Sequence, residues 1–180
     1  MHISLDGYVA GPNGEMDWIQ VDDEIFEYAG WRTNEADTAL YGRVTYEMMQ
    51  AYWPSAGNQP NATKHAIEHS TWYNKVDKII ISRSMKGQSL PNTTIISDNI
   101  KEKITEIKQK PGQNIQIFGS PSAAHSLMQY DLIDDLWLFI NPVVIGAGIP
   151  LFKNIDGTKK LKLLETKPFS SGVVCLHYER

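Results

Sequence analysis

The chain has few of the residues that would place it in several common classes of protein. Cys175 is its only cysteine, which excludes an internal disulfide and a thiolate metal cluster. No stretch approaches the roughly 18 consecutive apolar residues that a membrane-spanning helix needs. Residues 1–7 lack the basic flank and the long apolar run of a signal peptide. These absences predict a protein of the reducing cytoplasm.

An excess of basic residues is also missing. The net charge is −4 and hydrophobic residues make up 42% of the chain, a composition typical of ordinary globular proteins. We therefore expect neither nucleic acid nor an anionic membrane surface as a partner. A chain of 180 residues fits a single domain spanning 1–180, because one hydrophobic core remains workable to roughly 250 residues.

The order of the predicted elements favours an α/β fold. Strands alternate with helices as far as residue 128, and strands alone follow, which predicts a three-layer fold with a mostly parallel central sheet, antiparallel C-terminal strands and flanking helices. Residues 54–75 are polar and irregular. Four helices are predicted: 22–34, 43–51, a third whose N-terminus Ser97 or Asp98 caps, and a fourth that begins at Pro121. The predicted strands are 3–10, 38–41, 78–82, 93–96, 115–118, 136–145, 160–166 and 173–178.

Two segments share one design: a buried strand, a glycine and the start of a helix. Helix N-termini present unpaired N–H groups and a partial positive charge, so each is a candidate phosphate site. The alternative is that the glycine serves only the geometry of the junction. Two such turns in one sheet would suit a pyrophosphate. The candidate cofactor-binding residues are Gly42, Arg43 and Thr45 in the first turn and Gly119, Ser120 and Ser122 in the second.

A third candidate follows another strand. Ser82, Arg83 and Ser84 place a guanidinium between two hydroxyls, which suits the 2′-phosphate that distinguishes NADP from NAD. The alternative is a solvated loop arginine.

Two further motifs are weaker. The sequence Gly-Ala-Gly at 146–148 lacks the third glycine of a dinucleotide-binding fingerprint, and Pro150 follows it. Residues 65–69 match the H-x-x-E-H pattern of zinc proteases, but a chance match on a surface is favoured, and we expect no metal.

Several acidic residues are candidates to contact a substrate. A carboxylate at a helix start can hydrogen-bond a heterocycle or relay a proton; for each acid, a cap or a solvated carboxylate is an equal alternative. Trp18 would shelter the site or only pack. The acids are Asp6, Asp17, Asp22 and Asp23.

Four segments in order resemble the dihydrofolate-reductase-like superfamily, in the branch that contains the C-terminal reductase domain of the bifunctional riboflavin-biosynthesis deaminase/reductase. They are residues 4–10 (SLDGYVA), 36–47 (ADTALYGRVTYE), 118–120 (FGS) and 132–152, which ends in PVVIGAGIPLF. The resemblance covers nearly the whole chain.

The resemblance implies a dihydrofolate-reductase fold, NADPH as hydride donor, a homodimer, and reduction of a ribosylaminopyrimidine or a pterin. It also implies that the phosphate-turn residues and Ser82 with Arg83 bind the cofactor. Asp23 lies five residues after Trp18, similar to the tryptophan–acid spacing of dihydrofolate reductases, so Asp23 is the first candidate for catalysis and Asp6 the second.

Two departures from the family pattern concern the substrate. Tyr8 stands where riboflavin-pathway reductases usually carry lysine, and Phe118, Gly119 and Ser120 stand where they carry Glu-Gly-Gly. Both departures remove polar groups that a ribose phosphate would meet, and Tyr8 and Trp18 are the candidate substrate contacts. The alternative function is a nucleotide-binding homodimer of this fold without catalysis.

Overall fold

A computed structural model describes all residues, 1–180, and divides them into two compact units. The first unit comprises Met1–Asp22 with Pro121–Arg180, and the second comprises Asp23–Ser120. The elements in chain order are β1 (His2–Ser4), β2 (Tyr8–Ala10), α1 (Asp23–Asn34), β3 (Ala36–Gly42), α2 (Arg43–Ala56), α3 (Lys64–Lys75), β4 (Asp77–Ile81), β5 (Thr93–Ile96), α4 (Ile100–Lys108), β6 (Asn114–Ile117), α5 (Pro121–Met128), β7 (Asp135–Asn141), β8 (Ile149–Pro150), β9 (Lys162–Pro168) and β10 (Val174–Glu179).

The second unit is built on a four-stranded parallel sheet. Its strand order is β5-β4-β3-β6, and every neighbouring pair is parallel. Leu40 and Ile80 are buried on the two central strands, as expected of strands covered on both faces. Because the strands are parallel, their carboxyl ends meet at one edge of the sheet.

Helices and an aromatic core stabilise that sheet. Tyr41, Tyr46 and Tyr73 lie within the buried cluster that contains β3 and β4 residues. Lys78, buried on β4, donates from Nζ to the carbonyl oxygens of Tyr73 at 2.7 Å and Val76 at 3.1 Å. The lysine therefore caps the C-terminal end of α3, where a cation suits the helix dipole.

The first unit contains a mixed sheet of order β1-β7-β10-β9 and a small β2-β8 pair. β1 is parallel to β7, whereas β10 runs antiparallel to both β7 and β9. Ile3, Val9, Leu138 and Leu151 form its buried apolar cluster. The predicted antiparallel C-terminal pair is thus confirmed.

The prediction that residues 54–75 are irregular is wrong. α2 continues through Pro54 to Ala56, and Lys64–Lys75 form α3, whose first turn is capped when Thr63 accepts a hydrogen bond from the backbone N–H of Ala66. The buried face of α3 includes His69 and Ser70. Because these buried positions hold residues that count as polar, the hydrophobic pattern of the sequence does not reveal the helix.

Two other predicted elements need correction. The strand predicted at 3–10 is two strands, because Gly7 adopts φ +87° and turns the chain between β1 and β2. The helix after β5 is capped by neither Ser97 nor Asp98: its N-cap is Asn99, in the left-handed region at φ 48° and without a side-chain cap bond. No helix of the structure has both the length and the apolar character required to cross a membrane.

Candidate functional site

The first predicted phosphate turn joins β3 directly to α2. Gly42 is the last residue of β3 and the N-cap of α2, with extended φ and ψ of −86° and 166°. No side chain caps this helix end. Its first-turn N–H groups and the positive end of its dipole therefore suit an anion at the carboxyl edge of the sheet.

The second predicted turn lies against the first. The buried Ser120 accepts a hydrogen bond on Oγ from the backbone N–H of Gly42 at 2.5 Å. A Cβ on Gly119 would lie 3.8 Å from Cγ2 of Thr45. The structure thus brings together Gly42, Thr45, Gly119 and Ser120, which the sequence separates by more than 70 positions.

The second turn has an unusual backbone. Gly119 and Ser120 both have positive φ, 54° and 63°. A left-handed conformation costs a residue with a side chain roughly 1–2 kcal/mol. Strained positions of this kind concentrate at binding sites, where the surrounding structure holds them in place. Ser122, the remaining residue of this motif, is exposed as the second residue of α5.

The predicted 2′-phosphate loop follows the neighbouring strand. Gly42 on β3 pairs with Ile81 on β4, so Ser82 continues from the same edge of the sheet. Ser82 Oγ and Ser84 Oγ are 3.2 Å apart. Arg83 is exposed and forms no ion pair, which leaves its guanidinium available to an anion.

Arg43, the other candidate arginine, already forms an ion pair. Its NH1 atom lies 2.7 Å from Oε2 of Glu47, one turn further along α2. Binding of a phosphate by Arg43 would therefore compete with an existing ion pair, and Arg83 is the better placed of the two.

Asp6 forms hydrogen bonds within the first unit. Its carboxylate accepts from Ser4 Oγ at 2.6 Å, from the N–H of Gly146 at 2.8 Å and from the N–H of Ile145 at 3.3 Å. These bonds, chiefly that of Ser4, lower the pKa of Asp6 although solvent reaches it. Asp6 therefore remains ionised at neutral pH and ties the turn after β1 to the loop before β8.

The remaining predicted substrate residues fall in both units. Asp23, the first residue of α1, is exposed in the second unit. In the first unit, Trp18 donates from Nε1 to the carbonyl oxygen of Glu15 at 3.2 Å. Tyr8 opens β2 and pairs with Pro150. Their roles in binding remain predictions.

Comparison with known proteins establishes the family of this chain. The family model described as the RibD C-terminal domain matches residues 1–175. The chain belongs to the RibD C-terminal domain family.

Individual proteins agree with this assignment. The Bacillus subtilis protein YyaP, itself uncharacterised, is 34% identical over 98% of this chain and 90% of its own length. Among solved structures, a Shewanella protein assigned to riboflavin biosynthesis has a TM-score of 0.71 at 18% identity, covering 100% of this chain and 96% of that one. Enterococcus faecalis dihydrofolate reductase, complexed with NADP(H), has a TM-score of 0.61 at 15% identity, with coverage of 99% and 90%. The predicted α/β class and dihydrofolate-reductase-like fold are confirmed.

The H-x-x-E-H match of this RibD C-terminal domain lies on α3. His69 is buried against Trp53, with ring centroids 4.1 Å apart, and His65 stacks on Phe26 at the same distance. No group of three or more His, Cys, Asp or Glu side chains is arranged to hold a metal ion. The two histidines pack among aromatic rings.

An ionic cluster of one acid and two lysines lies near the end of β5. Asp98, just after β5, binds the ammonium groups of both Lys86 and Lys103. Lys103 follows Asp98 by five positions, whereas Lys86 lies on the loop after β4, the strand that pairs with β5. Sequence spacing alone therefore does not predict the contact between Lys86 and Asp98.

Proposed function

We propose that the protein is an NADPH-dependent reductase of a small heterocyclic substrate, of the ribosylaminopyrimidine or pterin type. The observation that carries the proposal is the meeting of the two phosphate turns, in which Ser120 Oγ accepts from the N–H of Gly42 and Gly119 lies beside Thr45. Membership of the RibD C-terminal domain family supports the same function.

The uncapped start of α2 would hold the pyrophosphate. Its first-turn N–H groups would donate to phosphate oxygens, and Thr45 would supply a hydroxyl. Gly42 and Gly119 permit close approach of the phosphate because neither carries a side chain. Ser120, through its bond with the N–H of Gly42, holds the two turns together.

Arg83 and Ser82 would bind the 2′-phosphate. A guanidinium makes bidentate hydrogen bonds with a phosphate, and charge-assisted bonds of this kind are the stronger class. Arg83 is exposed. This residue should therefore make the protein prefer NADPH to NADH.

When bound, NADPH would supply a hydride from C4 of its nicotinamide to a C=N or C=O carbon, and an acid or a water molecule would supply the proton to the neighbouring nitrogen or oxygen. The chain's own part is to position the two reactants and exclude water. Asp6 is poorly suited to donate a proton, because three hydrogen bonds stabilise its ionised form. Asp23 remains the first candidate to contact the heterocycle, and Asp6 a candidate to fix the loop that contains Gly146.

The alternative is a homodimer that binds the nucleotide without catalysis. Tyr8 favours it, because this position lacks the cationic side chain that riboflavin-pathway reductases usually carry. This alternative predicts that NADPH binds and that no pyrimidine or pterin accelerates its oxidation.

The test is NADPH oxidation, followed at its nicotinamide absorbance, with ribosylaminopyrimidine phosphates and dihydrofolate as substrates. We expect oxidation that depends on one of them, and an Asp23→Asn variant that turns over about a hundredfold more slowly with unchanged NADPH affinity. Glu27→Gln, exposed on the same helix, is the matched control. Binding without oxidation would support the alternative, and full turnover by Asp23→Asn would remove Asp23 from the mechanism.

A further inference from the structure

Two parallel strands of the first unit end side by side. Ser4, the last residue of β1, pairs with Asn141, the last residue of β7, and both side chains are buried. In open α/β sheets, ligands bind beyond the carboxyl ends of the parallel strands. We therefore expect the substrate of the proposed reductase to meet the segments that lie at this β1–β7 edge.

Hydrogen bonds hold three segments at the β1–β7 edge. Oδ1 of Asn141 accepts from the backbone N–H of Gln20 at 2.8 Å, which ties the segment before α1 to the end of β7. The N–H of Leu5, directly after β1, donates to the carbonyl oxygen of Val143 at 2.8 Å. The turn after β1, the loop after β7 and the segment before α1 therefore lie together.

Each of the three segments exposes an apolar side chain. Leu5 is 67% exposed, Val21 48% and Val144 65%. Val21 directly follows Gln20, and Val144 directly follows Val143, so both adjoin the hydrogen bonds that hold the edge together. Single exposed apolar side chains are common on protein surfaces, but three that are held at one sheet edge favour contact with an apolar or uncharged group.

Tyr8, a candidate substrate contact, lies at the same edge. Its N–H donates to Oγ of Ser4 at 2.9 Å, and the same oxygen donates to Oδ1 of Asp6 at 2.6 Å. Tyr8 occupies the position where riboflavin-pathway reductases usually carry lysine. This edge therefore lacks the cation that a substrate phosphate would meet at that position.

The segments at this edge carry acids and no basic side chain that is charged at neutral pH. Residues 1–22 and 141–152 contain neither lysine nor arginine. Burial lowers the pKa of His2 to about 3, so its ring is neutral at pH 7. Hydrogen bonds, chiefly that of Ser4, lower the pKa of Asp6, so this carboxylate is ionised. The acids of the two segments are Asp6, Glu15, Asp17 and Asp22.

Two other cations of the sheet are engaged away from this edge. The N-terminal ammonium, which precedes β1, donates to the carbonyl oxygen of Trp137. Lys167, on β9, is two strands from β7, and its Nζ lies 5.4 Å from the centroid of the Phe169 ring. A phosphate monoester carries about 1.5 to 2 negative charges at neutral pH. The acidic segments of the β1–β7 edge would therefore repel it.

We propose that the β1–β7 edge selects a heterocyclic substrate without a phosphate group, whose uncharged substituent lies against Leu5, Val21 and Val144. The inference rests on the proposed function, because it concerns the substrate of the same reductase. A neutral heterocycle fits these segments, and a ribosylaminopyrimidine phosphate does not. Discrimination of this kind comes from the missing cations and the nearby acids as much as from apolar contact.

The test compares kcat/KM of NADPH oxidation for a ribosylaminopyrimidine and a hydroxyalkyl dihydropterin, each with and without a phosphate on its side chain. Within each scaffold that is oxidised, we expect kcat/KM at least about tenfold higher without the phosphate, because no cation compensates its desolvation. An equal or higher kcat/KM for the phosphorylated form would overturn this inference and leave the proposed function standing. Oxidation of none of the four compounds by a protein that binds NADPH would remove the proposed function as well.

A Val144→Lys variant places a cation on the loop after β7. Val144 is 65% exposed, so the variant should fold, and thermal unfolding checks this. We expect the kcat/KM of the phosphorylated form, relative to the unphosphorylated form, to rise about tenfold, as one charge-assisted hydrogen bond predicts. The matched control is Tyr130→Lys, at a 44% exposed position before the amino end of β7, which adds the same charge and should leave this ratio unchanged. A Val144→Lys ratio equal to that of the wild-type protein would mean that the loop does not contact the substituent, and the inference would be wrong.

Discussion

At the scale of single residues, Ser120 combines two opposed effects. Its hydroxyl accepts the N–H of Gly42 within the protein interior, and its backbone lies in the left-handed region at φ 63°. The hydrogen bond stabilises the junction of the two turns, whereas the conformation disfavours any residue with a Cβ.

We predict that Ser120→Ala lowers the free energy of unfolding by about 1–3 kcal/mol, because the buried N–H of Gly42 loses its acceptor. Ser120→Gly loses the same acceptor but relieves the backbone, so its loss should be smaller by roughly 1 kcal/mol. Urea denaturation measures both. Ser122→Ala, exposed two residues away, should change the unfolding free energy little. Equal losses for Ala and Gly would mean that φ at this position carries no strain.

The sequence predicted the residues of these turns but not their contacts. A strand, a glycine and a helix start are local signals, so Gly42 and Gly119 could be found by inspection. The bond from Gly42 to Ser120 depends on β3 lying beside β6. The order of strands in a sheet is a long-range property, which spacing along the chain does not encode.

At the scale of elements, α3 shows why helix prediction failed between residues 54 and 75. Its interior face carries His69, whose ring lies 5.3 Å from that of Trp72 and 5.8 Å from that of Phe118, centroid to centroid. A histidine counts as polar in a hydrophobicity pattern, yet here it packs as an aromatic ring.

β5, by contrast, was predicted at its observed bounds, because Ile95 and Ile96 follow β-branched threonines.

Burial of His69 should make stability depend on pH. Desolvation, followed by the positive charge that His65 can carry, lowers the pKa of His69 from 6.5 to about 4. The folded state therefore binds a proton less readily than the unfolded state. Its contribution to stability is complete above the unfolded pKa and is lost as the pH falls from about 6.5 towards about 4.

We predict that the unfolding free energy of the wild-type protein falls across that window, with about 2–3 kcal/mol of the change due to His69. His69→Phe, which keeps an aromatic ring and removes the titration, should flatten this part of the profile. His2, whose pKa burial lowers to about 3, will keep a residual slope in the variant. Urea denaturation at several pH values measures the effect, and an unchanged slope in His69→Phe would contradict it.

At the scale of the whole molecule, β9 is the edge strand of the β1-β7-β10-β9 sheet. β9 pairs only with β10, so its other edge presents backbone groups without strand partners. Leu163 and Leu164 are 50% and 45% exposed on this strand. We propose that the homodimer implied by the family resemblance forms here.

We predict a mass in solution of twice the 20.3 kDa chain, measured by sedimentation equilibrium. Replacing Leu163 and Leu164 with lysine should produce a monomer, because charges at an edge oppose strand pairing. Ile67→Lys, at an apolar position 48% exposed on α3, should leave the dimer intact. A monomeric wild-type protein would refute the proposal, as would a dimer that survives both leucine replacements.

The family could be recognised from the sequence because its motifs are ordered along nearly the whole chain, and the family match spans residues 1–175. Those motifs are strand–turn junctions, whose residue types are fixed by local backbone geometry. The substrate was not predictable in the same way, because Tyr8 and Phe118 depart from the pattern where a ribose phosphate would bind.

Binding of NADPH through its 2′-phosphate can be measured by titrating the purified protein with NADPH and with NADH while nicotinamide fluorescence is followed. We predict binding at least about tenfold tighter for NADPH, and an Arg83→Ala variant that loses most of this preference while its affinity for NADH changes little. Equal weakening of both cofactors in Arg83→Ala would contradict the 2′-phosphate assignment. Failure of the wild-type protein to bind either cofactor would contradict the reductase proposal itself.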